Sequence, residues 1–339
     1  MPIKSKELDP DRKVRMRMAD GEEIVFRLKD VMVEPGAKIS LAKDFKPSFS
    51  GGFKDKKQAE ETLEKNRRRL ADLQERLYAQ DTYGLLIIFQ AMDAAGKDGA
   101  INHVMSGVNP QGCVVTPFKA PTSDDLDHDY LWRANKALPG RGMIGIFNRS
   151  YYEEVLVVRV HPEILKAQKL PPEARTEDVW KNRYRQINDF EQYLVENGII
   201  VLKFFLNVSN EEQRQRFLAR IDEPEKNWKF STADVKERAF WDDYQKAYED
   251  CFRHTSTPWA PWFVIPADRK WFSRLAISEA IIRTLEGLNL KFPEVSEARR
   301  AELLEIRKQL APEESEKPAA KPKARTGKTP KKKKGTKKA

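Results

Sequence analysis

The chain has 339 residues, 40% hydrophobic and 34% charged, with a formal net charge of +10. No run approaches the ~20 apolar residues of a membrane-spanning helix, and MPIKSKELDPDRK has no apolar stretch behind its positive charges, so a soluble chain without a secretory leader is expected. Cys113 and Cys251 are the only cysteines, too few for a disulfide framework and not at metal-ligand spacing, which points to a reducing cytoplasm.

Residues 1–82 read as an N-terminal arm with a strand or two, followed by a packing helix from about Lys54 to Gln80. Leu63, Leu70, Leu73 and Leu77 share one face of that helix, and charge covers the others. From Tyr83 the pattern changes. LLIIF (Leu85–Phe89), CVVTPF (Cys113–Phe118), MIGIF (Met143–Phe147), IIVLKFFL (Ile199–Leu206) and WFVIP (Trp262–Pro266) are continuous apolar or β-branched runs, suited to central strands of a parallel sheet covered on both faces. Helical segments separate them. Thr122 with Asp125, Ser209 with Glu212 and Ser231 with Asp234 resemble capping boxes, and Gly198 fits a helix end. The expectation is an α/β protein with a three-layer α/β/α core and five parallel strands over 83–292. A charged helix follows at 293–311. Residues 312–339 lack the apolar content to fold and read as a disordered Lys-rich tail. From Lys317 to Ala339 there are 11 basic residues and no acid, so the remainder is close to neutral and an anion site there must be a local cluster. The tail alone allows a nucleic-acid-binding reading; a solubilising or nonspecific extension is preferred.

Three clusters carry the chemistry. In QAMDAAGKDGA a buried strand ends, a small-residue turn follows, and Gly96-Lys97 opens a helix. Backbone N–H groups over Ala94, Ala95, Gly96, Lys97, Asp98 and Gly99 would wrap phosphate oxygens, and Lys97 would hold the transferring group. The segment departs from G-x-x-x-x-G-K-[ST]: Ala91 replaces the first glycine and Asp98 the hydroxyl residue that ordinarily binds Mg²⁺. Asp93 offers a hard oxygen ligand instead; the alternative is a turn residue capping the next helix. In GIFNRSYYEEVL a strand delivers Asn148 and Arg149 to the carboxyl edge of the sheet, where ligands bind. Arg149 can neutralise phosphoryl charge in the transition state, or form a surface ion pair with Glu153 or Glu154. In QRQRFLARIDEPEKNWKF, Arg216 and Arg220 share a helix face at i, i+4, and Lys226 and Lys229 follow at a break. Two helices with a basic junction, within about 207–258, read as a lid over an anionic substrate or as a solvated charged surface. The aromatic residues Phe240, Trp241, Tyr244, Tyr248 and Phe252 read as core or subunit packing rather than base stacking. The four histidines show no metal or triad spacing.

These segments together resemble the polyphosphate kinase 2 family. QAMDAAGKDG, SGVNPQGC, GIFNRSYYEEVLVVRVHPE, DEPEKNWKF, RAFWDDYQKAYED and TSTPWAPWFVIPADRKW occur in order between about Tyr83 and Leu290. The resemblance implies a P-loop kinase fold with a helical lid, and Mg²⁺ as cofactor with Mn²⁺ as its substitute. It implies reversible phosphoryl transfer between inorganic polyphosphate and nucleotides. Asp93 would position metal or phosphate, Lys97 and Arg149 would contact phosphates, and Arg216, Arg220, Lys226 and Lys229 would line the polyphosphate path. Asn148 stands where family members acting on nucleoside diphosphates usually have Asp, and is similar to the subgroup taking AMP to ADP and onward to ATP. Asn148, Glu153 and Glu154 are candidates for nucleotide contacts. The family often forms dimers or tetramers. No membrane or specific nucleic-acid partner is expected, and the same-class alternative is a nucleoside monophosphate kinase using ATP as donor.

Overall fold

Five of the apolar runs become strands of one parallel sheet in the computed structural model, which describes residues 13–17 and 23–311. The segment 312–339, expected to be disordered, lies outside the described residues. Lys13–Arg17 (β1) and Glu23–Arg27 (β2) pair antiparallel. The sheet itself comprises Gly84–Ala91 (β3), Cys113–Pro117 (β4), Ile144–Asn148 (β5), Ile199–Asn207 (β6) and Trp262–Pro266 (β7), in the order β4-β5-β3-β6-β7. Every pairing is parallel, with Leu85 opposite Ile144 and Gly84 opposite Ile199. β3 lies centrally, and all eight of its residues are buried. Fully burying each of Leu85, Leu86, Ile87 and Ile88 contributes roughly 1.5–3 kcal/mol, which is why this strand organises the domain.

Alternate side chains of β3 feed two apolar layers. Leu85, Ile87 and Phe89 pack with Leu70, Leu73 and Leu77 of the helix Lys56–Gln80 and with the helix Lys270–Gly287. Leu86 and Ile88 face the helices Val179–Glu196 and Trp241–Thr255. The three-layer expectation holds, and the aromatic residues of Trp241–Thr255 are packing groups: the Phe205 ring lies 4.1 Å from that of Tyr248. The N-terminal segment joins the same core, since Phe26 meets Phe272 edge-on at 5.4 Å.

Three expectations need correction. Trp262–Pro266 forms one edge of the sheet rather than a central strand, though it is buried throughout; at the other edge Cys113–Pro117 is not covered either, with Val114 and Val115 exposed. Its apolar run is compatible with either position, because composition does not encode strand order. Ser231 does cap the helix Thr232–Glu237, but through the Ala233 N–H at 3.2 Å. Asp234 instead accepts from Arg220 at 3.1 Å, an ion pair that outcompetes the local cap. The Thr122–Asp125 box is reciprocal as expected. Ser209 accepts from Glu212 N, while the Ser209 N–H itself donates to Asp268. The charged helix Glu297–Leu310 belongs to a separate unit and is capped by Ser296.

Candidate active site

The chain steps from β3 to one side of the sheet for β4 and β5, then to the other for β6 and β7. That reversal opens a crevice at the carboxyl end of β3, the usual ligand position in open α/β sheets. The turn after β3 enters this crevice. Ala94 (φ 59°) and Gly96 (φ 102°) adopt left-handed backbone, which costs an alanine more than a glycine. Gly96 precedes the helix Lys97–Val104 without any side-chain cap, so the first N–H groups of that helix remain available to an anion.

Lys97 folds back over the turn and donates to the Ala91 carbonyl at 3.1 Å. Burial, reinforced by the Arg149 guanidinium, holds its ammonium below the ordinary lysine range, while Asp93, Glu153 and Asp98 oppose the shift. Arg149 follows β5 in left-handed backbone (φ 63°) and donates to Asp93 Oδ1 at 3.0 Å. Its other terminal nitrogen lies 3.5 Å from Glu153. These carboxylates, Glu153 first and then Asp93, raise the Arg149 pKa against the effect of burial. The ion-pair alternative for Arg149 thus holds with Glu153 and not with Glu154, and the half-buried guanidinium meets Asp93 as well. Asn148 donates to Asp98 Oδ1 at 2.6 Å.

One cavity of 690 Å³ gathers Asp93 and the turn residues Ala94, Ala95, Gly96, Lys97, Asp98 and Gly99 with Asn148, Arg149, Arg216, Arg220, Lys226 and Lys229. Three stretches far apart in sequence therefore meet. Their side chains do not all face it alike. Arg216 donates to the carbonyls of Ala95 and Ala267, each at 2.6 Å, and to Glu212 at 2.8 Å, clamping the turn after β3 to the end of β7. Arg220 is paired with Asp234, Lys226 with Glu223, and Lys229 lies over the Trp228 ring.

Glu153 and Glu154, adjacent in sequence, diverge. Glu153 stays beside Arg149, whereas Glu154 is buried against Gln168 and, at 3.1 Å, Arg183. Glu154 thereby faces a second cavity of 450 Å³, which shares Phe118, Lys119, Ala120 and Arg149 with the first. Three cations of the larger cavity escape motif reasoning: Lys119, Lys270 and Arg274. Burial lowers the pKa of Lys270 and of Arg274, and neither forms an ion pair among the described residues. Both follow β7 and stand i, i+4 on the helix Lys270–Gly287, and Lys119 follows β4, so the strand-end rule applied to Arg149 would have found them.

Among the described residues no three His, Cys, Asp or Glu side chains form a ready-made metal cage. Mg²⁺ does not need one: it keeps waters and is bound by one or two carboxylates together with substrate phosphates. Asp93, beside a turn whose helix-opening N–H groups have no side-chain cap, fits that requirement.

A family model described as Polyphosphate kinase 2 (PPK2) matches residues 53–293. The chain is 52% identical over 286 residues to an ADP-polyphosphate phosphotransferase of Rhodopseudomonas palustris, covering 84% of this chain and 99% of that one. It is 46% identical to an AMP/ADP-polyphosphate phosphotransferase of Meiothermus ruber, covering 79% and 96%. The crystal structure of polyphosphate kinase 2 from Arthrobacter aurescens TC1 superposes with a TM-score of 0.73 at 41% identity, covering 81% of this chain and 95% of that chain.

Proposed function

The chain belongs to the polyphosphate kinase 2 family, and from this premise we infer a polyphosphate-dependent nucleotide kinase that moves a phosphoryl group reversibly between inorganic polyphosphate and AMP or ADP. The observation that supports the assignment of roles is Arg149, which lines both cavities. The larger, cation-lined cavity takes polyphosphate, and the smaller one, bearing Phe118, Tyr130 and Glu154, takes the acceptor nucleotide.

Donor and acceptor are both anions, so their approach is itself unfavourable. Lys97 and the N–H groups of the turn hold the phosphoryl group to be transferred. Arg149 spans donor and acceptor, offsetting the charge between them and aligning them for in-line transfer. Lys119, Lys270 and Arg274 extend the donor path. Arg220, Lys226 and Lys229 lie on the lid, which runs from the helix Asn210–Asp222 through Thr232–Glu237 and excludes water on closure. Arg216 supports the turn from behind. Asp93, together with the substrates' phosphates, would hold Mg²⁺ or Mn²⁺, which would supply charge neutralisation for the transferring group. No protein nucleophile is required. Glu153 borders the acceptor cavity, and Asn148, on the donor side, stands next to the Arg149 that joins the two. The folded enzyme works in the cytoplasm as a dimer or tetramer.

Calorimetric titration tests the two-cavity assignment. Tripolyphosphate and AMP should bind the Mg²⁺-loaded protein together, and Arg149→Ala should weaken both. Mutual competition for one site, with affinity unchanged in Arg149→Ala, would overturn it.

A further inference from the structure

Directly after Arg149 the chain turns through a buried serine into two buried tyrosines, and both hydroxyls converge on one carboxylate. Tyr151 donates to Glu191 Oε1 at 2.9 Å and Tyr152 at 2.8 Å. The other Glu191 oxygen receives Lys203 Nζ at 2.6 Å, and neither residue has any exposed side-chain surface. Lys203 also donates to the Tyr152 hydroxyl at 3.0 Å and the Thr255 carbonyl at 2.7 Å, so all three of its protons have acceptors. Thr255 in turn accepts from the Trp262 indole at 2.9 Å. Burial, and then the Glu191 charge, keep both phenols protonated and able to donate.

An ion pair sunk in the middle of an otherwise apolar strand is a poor route to stability, because desolvation offsets the Coulombic gain and an apolar replacement packs as well. Its reason lies at the other end of the tyrosines. Arg149 holds left-handed backbone, strained for a residue with a side chain, and its N–H is fixed to the Phe89 carbonyl at 3.0 Å. Ser150 caps the following turn through the Tyr152 N–H at 3.1 Å. The turn is therefore pinned on one side by β3 and on the other by two hydroxyls locked to Glu191. We propose that Glu191 and Lys203, acting through Tyr151 and Tyr152, are positioning residues that hold Arg149 in its strained turn between the two cavities. This rests on the reading that Arg149 spans donor and acceptor.

The test is a double-mutant cycle on turnover at saturating polyphosphate and AMP, with melting temperatures recorded in parallel. Tyr152→Phe keeps the ring and its edge contact with Trp262 but removes the bridging hydroxyl. It should lower kcat about tenfold with KM changed less than twofold, and should have no further effect on the residual kcat of Arg149→Ala. The paired replacement Lys203→Met with Glu191→Leu should fold with a lowered melting temperature, because the Tyr151 and Tyr152 hydroxyls and the Thr255 carbonyl lose their partners, and should lose kcat by a similar factor below its melting range. Equal losses from Tyr152→Phe in both backgrounds, or a stable paired variant with full kcat, would overturn the proposal. Were the paired variant not to fold, the Tyr152→Phe cycle decides alone. If Arg149→Ala itself retained full kcat, the functional reading would fall and this inference with it. If Arg149→Ala lost activity while Tyr152→Phe did not, only this inference would fall.

Discussion

Replacing Asn148 with aspartate tests the electrostatics of the phosphate turn without altering its shape. The Asn148 amide lies 2.6 Å from Asp98 Oδ1, so Asn148→Asp sets two carboxylates in contact where a donor met an acceptor. Two unit charges about 3 Å apart repel by roughly 1.4 kcal/mol in bulk water and roughly 5.5 kcal/mol at an effective dielectric of 20. Asp98 is exposed, so solvent screening puts the cost near the lower figure, at about 2 kcal/mol. The lost hydrogen bond adds about 1 kcal/mol. The pair relieves this by keeping one proton or binding a divalent cation. Because the variant's folded state then holds a proton that the unfolded chain releases, its deficit should vanish at low pH and grow as pH rises through the raised pKa. Melting curves between pH 4 and 8, with and without Mg²⁺, measure this. The variant should match the parent at pH 4, fall several degrees below it at pH 8, and recover there with Mg²⁺. A difference independent of both pH and Mg²⁺ would refute the reasoning.

Burial and then Arg149 lower the Lys97 pKa, and a bound polyanion raises it again, so binding takes up a proton. Polyphosphate affinity should be full below the lowered value and should fall as pH rises toward the bound-state value, a fall that titrations of Lys97→Ala should lack; that variant should also lose about 10³-fold or more in turnover. Lys270→Ala with Arg274→Ala should raise KM for polyphosphate about tenfold and flatten its salt dependence, leaving KM for AMP within twofold. Arg216→Ala breaks short charged hydrogen bonds to Ala95 and Ala267 and should lower unfolding free energy by about 2–4 kcal/mol in a denaturant titration. Unchanged stability there would show that Arg216 is not a clamp.

The sheet and the phosphate turn were legible because period and punctuation are local properties. The buried run before Gln90 and the uncapped Gly96-Lys97 follow from neighbouring residues alone. What was not legible depends on juxtaposition. Val114 and Val115 look like core residues until the strand order leaves β4 on the edge. Arg216 and Arg220, one turn apart, look equivalent, yet one clamps backbone carbonyls and the other pairs with Asp234. Glu154 was separable from Glu153 only once the 3₁₀ turn Tyr151–Val155 had given them different partners, Arg149 for Glu153 and the buried Arg183 for Glu154. Lys203 sits in the middle of IIVLKFFL as an apparent blemish, and nothing nearby in sequence reveals that Glu191 answers its charge.

The most direct measurement follows label from donor to acceptor. Purified protein is incubated with Mg²⁺, AMP and terminally ³²P-labelled polyphosphate, with no ATP added. Label should appear in the β-phosphate of ADP and then in ATP, and Lys97→Ala should abolish it. Unlabelled nucleotide throughout, alongside phosphorylation of AMP when ATP is supplied as donor, would contradict the account.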